Sequence, residues 1–119
     1  MPEEPLHLPR LRIYGYLLES LLKTADAFDV PMHFAEFAEQ RGYDLSCIYL
    51  ERPATMPAAI NALLDELDGL PSGTAVVAVP TFSHLALPGW DHRHLAEQLR
   101  EATGLPVILA GYASSAAMT

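Results

Sequence analysis

Apolar and polar positions change their period several times along the chain, and the changes predict alternating strands and helices. Residues 11–17 bring together Ile13, Tyr14, Tyr16 and Leu17, a β-branched, aromatic and apolar run suited to a pleated strand. The segment 18–30 is ambiguous. Leu21, Leu22, Ala25 and Phe28 would share one helical face, but no stop separates them from the next element. Pro31 suits the first turn of a helix, where its missing amide proton would have had no partner. A helix is therefore expected over 32–41, with Phe34, Phe37 and Ala38 on its apolar face and Gly42 closing it.

Residues 44–50 carry Leu45, Ile48, Tyr49 and Leu50 and read as a second strand, stopped by Pro53. Thr55 is placed to cap a helix over 56–68, with Gly69 as its stop. On that helix Ile60, Leu63, Leu64 and Leu67 recur at helical spacing. Burying each contributes about 1.5–3 kcal/mol before entropy is subtracted. Residues 74–79 are apolar on both faces, as expected of a central parallel strand covered on each side. Asp91 is expected to cap a helix over 92–103 with Leu95 and Leu99 inward, and 106–110 to form a short fourth strand. Strand and helix in strict alternation predict βαβ units. The expected fold is a three-layer α/β domain on a four-stranded, mostly parallel sheet. It would occupy residues 11–110, between a proline-punctuated arm (1–10) and a small, polar tail (111–119).

Composition narrows the possibilities. At 119 residues, half of them hydrophobic, one folded domain is expected. No apolar run reaches the roughly eighteen residues of a membrane span, and the acidic N-terminus is unlike the basic start of a signal peptide. The single cysteine, Cys47, allows no internal disulfide and suits a cytoplasmic location. It is expected to act as a small buried hydrophobe, because no neighbouring His or cation would activate it. Seven Lys and Arg face fifteen Asp and Glu, a formal charge of −8. Autonomous DNA binding is disfavoured, since that affinity comes largely from cations displacing counterions. Asp65, Glu66 and Asp68 crowd a helix end and read either as a solvated face or as a patch for a basic partner.

Candidate chemistry converges on one edge. The first strand runs out at Ser20, and the loop after the third carries Ser83, His84, Leu87 and Trp90. In open α/β sheets, ligands gather beyond the carboxyl ends of the strands. Ser20 with a crevice of Tyr16, Leu18, Ser83, His84, Leu87 and Trp90 is thus the site to test. No metal is expected, since His92 and His94, two apart at a helix start, point away from each other. No cofactor is expected either: Gly15 stands alone, without a phosphate-binding glycine loop.

The run Arg12-Ile13-Tyr14-Gly15-Tyr16-Leu17-Leu18-Glu19-Ser20 resembles the first strand of the serine recombinases, the resolvases and invertases. Their pattern there is roughly aromatic-Gly-Tyr-x-Arg-x-Ser, with the serine as the DNA-cleaving nucleophile. The segment Val77-Ala78-Val79-Pro80-Thr81-Phe82-Ser83-His84-Leu85-Ala86-Leu87 is similar to the family's hydrophobic strand followed by Asp-Arg-Leu-x-Arg. The likeness covers about residues 12–110 and implies a resolvase-type catalytic-domain fold. The departures are chemical. Leu18 stands where the family has arginine, and Ser83-His84-Leu85-Ala86-Leu87 lacks the second motif's aspartate and both its arginines. A family member would continue into a dimer helix and a DNA-reading domain, for which no residues are present here. The expectation is a pseudo-enzyme with Ser20 vestigial, acting as an interaction or regulatory module toward a protein partner or a second copy of itself. Two alternatives stand beside it: strand exchange through Ser20 with a full-length recombinase, and a small-ligand sensor in the Ser20–His84 crevice.

Overall fold

The computed structural model describes residues 10–22, 26–89 and 91–110. Most of the 1–10 arm, the whole 111–119 tail and Trp90 lie outside the described residues. Four parallel strands form one sheet in the order β2-β1-β3-β4: β1 (Arg12–Leu18), β2 (Asp44–Glu51), β3 (Ala75–Val79) and β4 (Ile108–Leu109). Three helices connect them: α1 (Asp26–Arg41), α2 (Ala58–Asp68) and α3 (His92–Thr103). The chain first steps from β1 outward to β2, then returns past β1 to β3 and β4. Right-handed crossovers then require α1 on one face and α2 with α3 on the other. The cores agree. Ile13, Leu17, Val76 and Ala78 pack with Val30, Phe34 and Phe37 of α1. Tyr14, Tyr16, Leu18, Val77 and Val79 pack with Ile60, Leu63, Leu67, Leu95 and Leu99 of α2 and α3.

This is the three-layer α/β architecture expected from the alternation, with every strand pair parallel. Central β1 is buried from Ile13 to Leu18, and β3 along its whole length, as strands covered on both faces must be. Gly15 has a packing reason. A Cβ there would stand 3.0 Å from the Phe34 ring and 3.2 Å from Ile48, so α1 sits close only because that hydrogen is small.

Several boundaries differ from expectation. Helix α1 begins at Asp26 and runs through Pro31 instead of starting after it. Pro31 forgoes one intrahelical hydrogen bond, and burial of Val30 against the sheet helps to offset that cost. Helix α2 begins at Ala58, and Thr55 lies in a 3-10 turn (Pro53–Thr55) instead of capping it. Met56 precedes a proline, which disfavours the helical region, and its ψ of 133° is extended. Strand β4 is limited to Ile108–Leu109 because Pro106 has no amide to donate, although Ala110 N–H still reaches the Val79 carbonyl at 2.8 Å. Cys47 is exposed, not buried: β2 is the outer strand, and its register slips beside Ser46. Helix α3 matches the expected range. Asp91 caps it, and Gly104 closes it with a φ of 81°.

Candidate functional site

Strand order reverses between β1 and β3, so their carboxyl ends flank the topological switch point of the sheet. Beyond β1 the chain turns into a 3-10 segment (Glu19–Leu21), and beyond β3 into another (Phe82–Leu85). Ser20 and Ser83, both exposed, lie on these two turns. The sequence thus delivers both hydroxyls to the same edge. Between them the edge is bridged: the Leu18 amide donates to His84 Nδ1 at 2.9 Å, and both residues are buried.

That bond fixes the state of the imidazole. A nitrogen that accepts from a main-chain N–H carries no proton, so neutral His84 holds its proton on Nε2. His84 ties the end of β1 to the turn after β3, and its Nδ1 is not available to take a proton from a hydroxyl. Leu85 and Leu87, on either side of Ala86, are buried in the core shared with α2 and α3. Tyr16 is also core, fully buried on that face. The structure therefore joins Leu18 to His84, places Tyr16 and Leu87 in the packed interior, and leaves Ser20 and Ser83 on the surface.

Tyr16 leads to a residue that sequence reasoning missed. Its hydroxyl donates to Glu51 Oε1 at 2.7 Å, at the end of β2. Glu51 is completely buried. It also accepts the Ile60 amide on Oε1 at 2.9 Å and the Ala59 amide on Oε2 at 3.0 Å. These are the second and third residues of α2, whose amides have no acceptor inside the helix. Pro57, at the capping position, offers no side-chain hydrogen bond. Burial, and the hydrogen bond to Glu51, raise the Tyr16 hydroxyl pKa well above its ordinary value of 10.0. Thr55 masked this clamp in the sequence: only with α2 opening after Pro57 does the helix lack a local cap and turn to Glu51, the nearest preceding acid.

Among the described residues, one cation comes to the Ser20 turn in an ion pair. Arg52 reaches the turn that holds Ser20, but its Nε faces Glu19 Oε2 at 3.6 Å. The Ser20 hydroxyl makes no hydrogen bond among the described residues. Nor, among them, is any group of three or more His, Cys, Asp and Glu placed to hold a metal ion. A groove of about 510 Å³ lies elsewhere, on the outer side of α3, lined by Asp91, Arg93, His94, Glu97, Gln98 and Glu101. None of the residues at the switch point lines it. On the acidic end of α2, Glu66 accepts the Tyr14 hydroxyl at 2.9 Å, while Asp65 and Asp68 are exposed. No described helix is long and apolar enough to cross a membrane.

Set against models of known protein families, curated proteins and solved structures, the chain matches none of them.

Proposed function

We propose that this domain is a non-catalytic, resolvase-like module whose work is protein interaction or regulation. One observation supports the reading. At the edge where β1 and β3 end, two buried titratable side chains, His84 and Glu51, are engaged in holding the fold. His84 Nδ1 accepts the Leu18 amide, and Glu51 accepts two amides of α2 and the Tyr16 hydroxyl. A serine attacking a phosphodiester needs a group to take its proton and cations to hold the developing charge. Among the described residues the Ser20 hydroxyl hydrogen-bonds to neither kind of group, and Arg52, which reaches its turn, faces Glu19. Each lost oxyanion-stabilising group costs an enzyme about 2.7–4 kcal/mol in the transition state. The chain's formal charge of −8 further opposes unaided DNA binding.

The test is covalent trapping. The purified protein is incubated with supercoiled plasmid and resolved on a denaturing gel. Wild type and Ser20→Ala are expected to behave alike, with no protein–DNA adduct. An adduct present in wild type and absent from Ser20→Ala would overturn the reading in favour of strand exchange.

A further inference from the structure

We infer that two copies of this chain pair antiparallel through the outer edge of β2, joining their sheets into one. The inference deepens the interaction reading by naming the partner, and rests on that reading for its biological sense.

Among the described residues strand β2 ends the sheet, with β1 as its hydrogen-bonded neighbour. An outer strand presents a row of unpaired N–H and C=O groups, and stable monomers blunt such edges with charge or proline. Residues 45–50, Leu-Ser-Cys-Ile-Tyr-Leu, contain neither. Ser46 and Cys47 are exposed, and Ile48, Tyr49 and Leu50 are only partly buried. The one irregularity, beside Ser46, lies toward the strand's start and leaves Cys47 to Glu51 in regular register with β1.

The register is set by the faces. Cys47, Tyr49 and Glu51 pair with Tyr14, Tyr16 and Leu18 on the α2/α3 face, while Ile48 and Leu50 pair with Gly15 and Leu17 on the α1 face. In a continuous antiparallel pair, opposed residues share a face. A two-fold axis at Ile48 satisfies this: Ile48 meets Ile48 of the second copy, and Cys47 meets its Tyr49. A two-fold also closes the assembly at two copies.

Charge agrees at both ends. One end of β2 carries Asp44 with Arg10 at 3.4 Å, and the other carries Arg52 with Glu19 at 3.6 Å, all exposed. Antiparallel pairing brings each copy's Asp44–Arg10 end to the other's Arg52–Glu19 end. With the axis at Ile48, Asp44 of one copy stands opposite Arg52 of the other, an exposed acid against an exposed base at each end of the shared edge.

Sedimentation equilibrium of the intact chain, from micromolar concentrations upward, reads the association directly. Wild type is expected to dimerise. Cys47→Lys and Ser46→Lys change exposed positions and are expected to keep the wild-type circular dichroism spectrum. Either should weaken the dimer roughly tenfold or more by burying like charges along the shared edge. Ile48→Cys in a Cys47→Ser background is expected to give a disulfide-linked dimer on mild oxidation, since the two sulfurs meet on the axis. A wild type that stays monomeric throughout overturns the inference. So does a dimer indifferent to both lysines, or a dimer without the Ile48→Cys crosslink. In these last two cases the chain associates through another surface and the interaction reading survives. Only the adduct experiment bears on catalysis.

Discussion

Helices α2 and α3 lie on the same face of the sheet, and each begins with amides that no helical carbonyl can reach. In α3 the second and third residues, Arg93 and His94, donate to the neighbouring Asp91 at 2.7 and 3.2 Å. In α2 the same two positions, Ala59 and Ile60, donate to Glu51, which comes from the end of a strand. The first cap is local and exposed; the second is tertiary and completely buried. An exposed cap can be replaced by water. A buried one cannot, so removing Glu51 orphans two amides and a tyrosine hydroxyl together. An acid at the ligand edge of an α/β sheet can thus be structural, because three donors already occupy it.

Loss of Glu51 is expected to have the largest effect. Glu51→Ala is expected to destabilise the fold by about 3–4 kcal/mol in chemical denaturation, because each orphaned buried donor costs about 1–3 kcal/mol. A loss near zero would mean that water takes over the clamp. His84→Ala comes next, at about 2 kcal/mol, since it leaves the Leu18 amide buried without an acceptor. Tyr16→Phe removes one partner of Glu51 and should cost about 1 kcal/mol at neutral pH. It also carries a pH signature. The folded state raises the Tyr16 pKa above its ordinary 10.0, so its contribution is fully present below pH 10 and is lost as pH rises beyond it. Wild type should therefore weaken more steeply above pH 10 than Tyr16→Phe does. The smallest effect is expected of Asp91→Ala, at the exposed cap. Hydrogen bonds from His94 and Arg93 hold the Asp91 carboxyl below its ordinary 3.8. Its contribution is present above that value and fades as pH falls through and below it, so the variant should flatten the acid limb of the stability curve.

Local and tertiary signals also divide the features that were legible in the sequence from those that were not. Strand β3 and helix α3 were readable because their signals are local: an unbroken apolar run in one, and Asp91 and Gly104 bracketing a periodic stretch in the other. The start of α1 was not, because burial of Val30 against the sheet overrode the local rule that Pro31 opens a helix. Thr55 looked like a cap by type, but the restriction that Pro57 places on Met56 delayed the helix, and a carboxyl from β2 met its amides. The exposure of Cys47 depends on which strand lies outermost, which β2's own residues do not say. At the candidate site, the topology brought Ser20 and His84 to one edge as the strand order implied. The partner of His84 is a main-chain amide, which no side-chain motif could announce.

Amide hydrogen exchange resolved by NMR distinguishes polar groups that hold this edge together from groups free to act. First-turn helix amides ordinarily exchange fast for want of an acceptor. Ala59 and Ile60, with Leu18, are predicted to exchange only through global unfolding, while Arg93 and His94 at the exposed cap exchange much sooner. Rapid exchange at Ala59, Ile60 and Leu18 would show that Glu51 and His84 do not hold these amides, and the structural role given to both would fall.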